Sequence, residues 1–93
     1  MTLLDQERLL IGLAYLEQGE YLHAIAWFNP ITADSENKYQ PTAEFYLTLT
    51  HLINGDYDRC LELMQRIVVN PSHPYHNRFS KTMIQQVRLL KWQ

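Results

Sequence analysis

Apolar residues return at helical spacing along nearly the whole chain. From Leu3 to Leu16 they are dense: Leu3 and Leu4, then "LLIGLAYL". Leu9, Leu13 and Leu16 follow a 3.6-residue period, but the other faces of this stretch are apolar too. A helix is predicted from about Asp5 to Gln18, stopped by Gly19. Tyr21, Ala24, Ile25 and Phe28 then repeat the i, i+3, i+4, i+7 pattern of an amphipathic helix. Pro30 lacks a backbone donor and crowds the preceding turn, so this second helix is expected to end near Trp27–Phe28 or kink there. "ADSENKYQP" is polar and reads as a loop.

Pro41 suits the start of a third helix, with Phe45, Leu49 and Leu52 on one stripe and Tyr46, Leu47 and Ile53 beside it. Asn54-Gly55 ends it. Tyr57, Cys60, Leu61, Met64, Ile67 and Val68 form the cleanest stripe in the chain and predict a fourth helix. "NPSHP" is a stop. Phe79, Met83, Ile84, Val87 and Leu90 predict a fifth helix ending near Trp92. No stretch carries a strand pattern; "RIVVN" continues the fourth helix in register.

The chain also says nearly the same thing twice. "LEQGEYLHAIAWF" from Leu16 and "LINGDYDRCLELM" from Leu52 lie 36 residues apart. They share Leu16/Leu52, Gly19/Gly55, an acid at Glu20/Asp56 and Tyr21/Tyr57. A small residue follows at Ala24/Cys60 and a large apolar one at Phe28/Met64. Each copy is helix, Gly-acid-Tyr turn, helix. A turn this short forces the two helices to pack antiparallel. The glycine supplies left-handed backbone at the helix end, and the small residue lets the first helix approach. The expected fold class is therefore all-α, built of antiparallel helix-turn-helix repeats with about five helices in one domain spanning 1–93.

This pattern is similar to the tetratricopeptide repeat, a helix–turn–helix unit of ~34 residues. Gly12 and Tyr15 match the family's small residue followed three positions later by an aromatic; Thr48 and His51 stand there in the second copy. Pro71 approximates the closing proline, whereas the first copy carries Pro30 inside its second helix and two extra residues before the next unit. The resemblance, of bacterial type, implies repeat one at about 5–36, repeat two at about 41–71 and a solvating cap helix at about 75–92. It also implies a concave groove lined by Gln6, Leu9, Leu13, Leu16 and Glu17, then Thr42, Phe45, Leu49, Leu52 and Ile53.

Charge and composition change this picture little. The chain has 93 residues, 46% hydrophobic and 19% charged, with net charge −2. That is one small globular domain, and no apolar run approaches the length of a membrane span. The charge is lopsided: ten acids and three bases through Glu62, then five bases (Arg66, Arg78, Lys81, Arg88, Lys91) and no acid. The expected reading is a solvated last helix whose bases suit a helix C-terminus. The alternative is attraction between the acidic first part of one copy and the basic last part of another, in a closed pair or head to tail. The basic residues with Tyr75, Phe79 and Trp92 interleaved are a weak footprint for nucleic acid, which is not the expected partner. Cys60, the lone cysteine, stands where the first copy has Ala24 and reads as a small buried residue. A single thiol and the lack of a positively charged leader make the cytoplasm the expected compartment.

His73 and His76 are half a zinc site, without a Cys or acid nearby in sequence, and read as turn and helix-entry residues. His51 is expected to replace a packing aromatic and His23 to face solvent. There is no phosphate loop, no H-E-x-x-H and no G-x-S-x-G elbow. Neither catalysis, a cofactor, a metal nor a small-molecule substrate is expected. The expected function is a non-catalytic protein–protein interaction module: a scaffold or adaptor that binds a protein or amphipathic peptide, itself included as a homodimer. The expected contacts are Leu9, Leu13, Leu16, Phe45, Leu49, Leu52 and Ile53, in the groove or on the first helix. Many grooves of this family that hold charged peptide termini carry Lys, Arg and Asn at these positions. Their absence here favours an apolar partner. The alternative is a structural unit: a homo-oligomeric building block or the C-terminal cap of a longer array.

Overall fold

The computed structural model describes residues 2–93. Its elements are α1 (Asp5–Glu17), α2 (Tyr21–Thr32), α3 (Gln40–Ile53), α4 (Tyr57–Val68), a 3-10 turn (His76–Arg78) and α5 (Lys81–Lys91). No strand occurs among the described residues. Each helix packs on the next in chain order; α1 also touches α3, and the 3-10 turn touches α4. The molecule is long and thin, 45 × 30 × 17 Å.

The two hairpins close by the same device. Gly19 has φ 79° and Gly55 φ 82°, the left-handed conformation that a glycine adopts without strain. The amide after each glycine donates five residues back, Glu20 to the Tyr15 carbonyl and Asp56 to the His51 carbonyl, both at 2.9 Å. The glycine amides donate to Leu16 and Leu52. These paired bonds satisfy carbonyls that a helix end leaves free. The next helix starts at once, so the hairpin is tight. At Asp56 the carboxylate also accepts from the Arg59 amide and caps α4.

Two apolar clusters lie in series rather than in one central core. The first joins Leu9, Ala24, Phe28, Ile31, Ala43, Leu47 and Leu63. The second joins Phe45, Cys60, Met64, Ile67, Phe79, Ile84 and Val87. Tyr46 touches both. The small residues are what let the helices close: Ala24, Ala43 and Cys60 are fully buried. Gly12 faces the Phe28 ring so closely that a Cβ there would lie 2.6 Å from it.

Two expectations are corrected. Pro30 does not end α2 near Trp27–Phe28; the helix runs on to Thr32. Proline removes one amide, whose partner would be the Ala26 carbonyl, and Ala26 is exposed, so water can serve it. The extra turn puts Ile31 into the core. Phe79 does not belong to the fifth helix. Phe79 and Ser80 are extended, and the Ser80 hydroxyl caps α5 by accepting from the Met83 amide. Phe79 still enters the second cluster, from outside the helix. Of the predicted stripe on α5, Ile84 and Val87 are buried while Met83 and Leu90 are exposed.

Candidate interaction surface

The segment between α4 and α5 covers the middle of the expected groove. Tyr75 stacks on Phe45 with ring centroids 4.6 Å apart, and Phe79 follows at 5.4 Å. The Arg78 guanidinium lies over the same ring, 5.2 Å from its centre. Thr42 and Tyr75 share a hydroxyl hydrogen bond of 3.2 Å. The Tyr75 amide donates to His73 Nδ1, so that ring carries its proton on Nε2, which donates to the Glu44 carboxylate at 3.2 Å. The acid beside His73 thus comes from α3 and is remote in sequence. His76 stands in the 3-10 turn with Nδ1 buried and unpartnered.

The seven expected contact residues therefore do not share one open face. Leu9 and Phe45 are buried. Leu13, Leu16, Leu49 and Leu52 are half-buried against the two clusters. Ile53 is exposed. Larger apolar exposure lies around α1 and around α4–α5, besides the single residues Leu22 on α2 and Trp92 after α5. On α1, Leu4 is 68% and Leu10 55% exposed, with Ile11 half-buried and Ala14 exposed beside them. A shallow cavity of about 290 Å³ lies there between Ile11, Ala14, Tyr15 and Gln18. Around α4–α5, Val69 is 76% and Leu89 67% exposed. A cavity of about 250 Å³ runs between α4 and α5, lined by Gln65, Val68, Val69, Lys81, Ile84, Gln85 and Arg88. Val69 and Leu89 lay outside the apolar stripes read from the sequence, because Val69 is off the register of the α4 stripe and Leu89 off that of α5. The all-round apolarity of α1 was the signal for its outer face.

A third cleft, about 350 Å³, opens between α2, α3 and α4, with Asn29, Arg59, Glu62 and Arg66 at its rim and His51 among its lining. Arg59 pairs with Asp56 at 3.4 Å and Arg66 with Glu62 at 3.9 Å, so its cations carry their own counter-ions. His51 is buried, with Nδ1 unpartnered. Burial lowers its pKa, Asp56 opposes the shift and Arg59 adds to it. Burial pushes the Cys60 thiol up to about 11, with Asp56 adding to it. Among the described residues no three His, Cys, Asp or Glu side chains cluster closely enough to hold a metal ion. No helix among them is long and apolar enough to cross a membrane.

Comparison of the chain with family models, with curated proteins and with solved structures returned no match.

Proposed function

We propose that this chain is a non-catalytic interaction module of the tetratricopeptide-repeat type, and that it binds its partner through the outer face of α1. The observation that carries the reading is the strip of exposed Leu4, Leu10 and Ala14, with half-buried Ile11, at the cap and along the outer face of a helix whose opposite side already fills the core. A surface helix needs one apolar stripe. A second stripe in water has a cost that a partner relieves, and contiguous exposed apolar area commonly marks a contact site. The repeated Gly-acid-Tyr hairpin supports the family reading, since such units stack neighbours to bury what one unit cannot. Leu13 and Leu16 lie on the opposite, core-facing side of α1, and Leu49 and Leu52 pack on the second cluster, so the contact is confined to the outer face of α1. An amphipathic helix is the partner element that fits.

The test is a photo-crosslinking amino acid placed at Leu10, with the same residue at Gln86 on α5 as control. Irradiation of cells expressing the chain should give a discrete protein adduct from position 10 and none from 86. No adduct from position 10 overturns the reading.

A further inference from the structure

We propose that the occupant of the α1 face is a second copy of this chain: α1 of one molecule seats in the groove between α4 and α5 of the next, so that copies add head to tail. The inference rests on the interaction-module reading and names its partner. The two faces are complementary in shape of chemistry. Leu10 and Ala14 on one line of α1, with Ile11 beside them and the N-capping Leu4 before the first turn, form a ridge that is apolar except at Glu7. The groove has an apolar floor of Val68, Val69 and Ile84. Among the described residues α5 packs on α4 alone, and Val69, Lys81 and Arg88 on the groove's lining are exposed.

The charges complement as well. Glu7 stands within the ridge, one turn before Leu10 and Ile11, where its carboxylate accepts from the Leu4 amide; Glu17 lies one turn beyond Ala14, and Asp5 stands in the first turn. The only base on α1 is Arg8, which pairs with Asp5. The groove is flanked by Lys81 and Arg88, seven residues apart and so on one side of α5. No acid lines it, and neither base forms a salt bridge among the described residues. Like faces would repel: two α1 ridges bring acids together, and two α4–α5 grooves bring bases together. The pairing is therefore ridge to groove.

The ridge is on α1 and the groove between α4 and α5, and among the described residues α1 makes no contact with either of those helices. One copy cannot satisfy its own groove. A contact between unlike faces leaves a free ridge at one end and a free groove at the other, so association continues past the dimer unless a ring closes.

Light scattering or sedimentation velocity on the intact chain reads this directly. The mass average should climb with concentration beyond twice the 11.1 kDa monomer and fall at high salt. Leu10→Asp spoils the ridge and Val69→Glu the groove; both positions are exposed, and far-UV circular dichroism checks that each variant stays folded. Each variant alone should be monomeric. Their equimolar mixture should form a dimer and nothing larger, because Leu10→Asp keeps its groove and Val69→Glu keeps its ridge. Lys81→Glu with Arg88→Glu should weaken association by an order of magnitude or more and remove its salt dependence. A wild-type chain that stays monomeric at high micromolar concentration overturns the proposal. So does a mass that stops at the dimer together with a mixture that stays monomeric, since that is a like-to-like contact. A monomeric wild type with a position-10 adduct to another protein sinks this inference and leaves the interaction module standing. No adduct at all removes both.

Discussion

Gly12 and Gly55 are both required, for opposite reasons that substitutions separate. Gly12 is mid-helix, where alanine would ordinarily gain about 1 kcal/mol from propensity. Its Cβ would sit 2.6 Å from a Phe28 ring that is itself fully buried. Overpacking of that kind costs about 1–3 kcal/mol, so Gly12→Ala should destabilise despite the better helix former. A rise in urea midpoint would refute the contact. At Gly55 there is open space and a positive φ. Gly55→Val should cost roughly 1 kcal/mol or more through left-handed strain, and Gly55→Asn distinctly less, because Asn tolerates that region. Equal losses for Val and Asn would point away from backbone strain. His51 adds a pH dependence. Its folded pKa lies below the ordinary 6.5, so the unfolded chain takes up the proton first. Stability should be unaffected above 6.5 and decline as pH falls through that value toward the folded pKa. The decline should be steeper in the wild type than in His51→Gln, compared by thermal melts at matched ionic strength. Parallel curves would mean that the imidazole charges freely in the fold.

Among the elements, the helices were legible because each carries its own stop. Gly19 and Gly55 mark their ends, and the stripes of α1, α3 and α4 read from the sequence lie within a residue or two of the observed helices. Cys60 was legible as the counterpart of Ala24, and both are fully buried. What the local pattern could not place is the segment Pro74–Phe79. Its aromatic rings stack on Phe45, some thirty residues earlier, and nothing in a 3.6-residue period carries that distance. Pro30 misled for a related reason: its penalty depends on whether the stranded carbonyl reaches water, which is a tertiary fact. The covering of Phe45 is an element-scale property that mutation can weigh. Phe79 is 5% exposed, and Phe79→Ala should cost about 3–5 kcal/mol, the range for a buried aromatic. Tyr75→Phe removes only the bond to Thr42 and should cost about 1 kcal/mol. Denaturant titrations of the two variants decide it. A large loss for Tyr75→Phe with a small one for Phe79→Ala would make the hydrogen bond, rather than ring stacking, what holds the segment down.

At the scale of the whole molecule, the two clusters in series make stability uneven along the chain. A linear arrangement couples each element only to its neighbours. α3 is the exception: it contacts α1, α2 and α4, and its Tyr46 joins both clusters. α5 packs on α4 alone, and α1 presents an apolar ridge to water. Opening from either end therefore loses one cluster at most, whereas losing α3 dissolves both. Native-state hydrogen exchange should rank the amides accordingly, with the slowest in α3, then α4 and α2, and the fastest in α5 and the first turns of α1. The same measurement bears on head-to-tail assembly. As concentration rises, protection should grow in α1 and in α4–α5, the elements that carry ridge and groove, and stay unchanged in α3. Mass action links the two: a copy bound at its ridge is stabilised in proportion to the logarithm of partner concentration. Uniform protection along the chain at low concentration would show a single cooperative unit in place of two clusters in series. Protection that grows in α3 but not at the ends would locate the contact elsewhere.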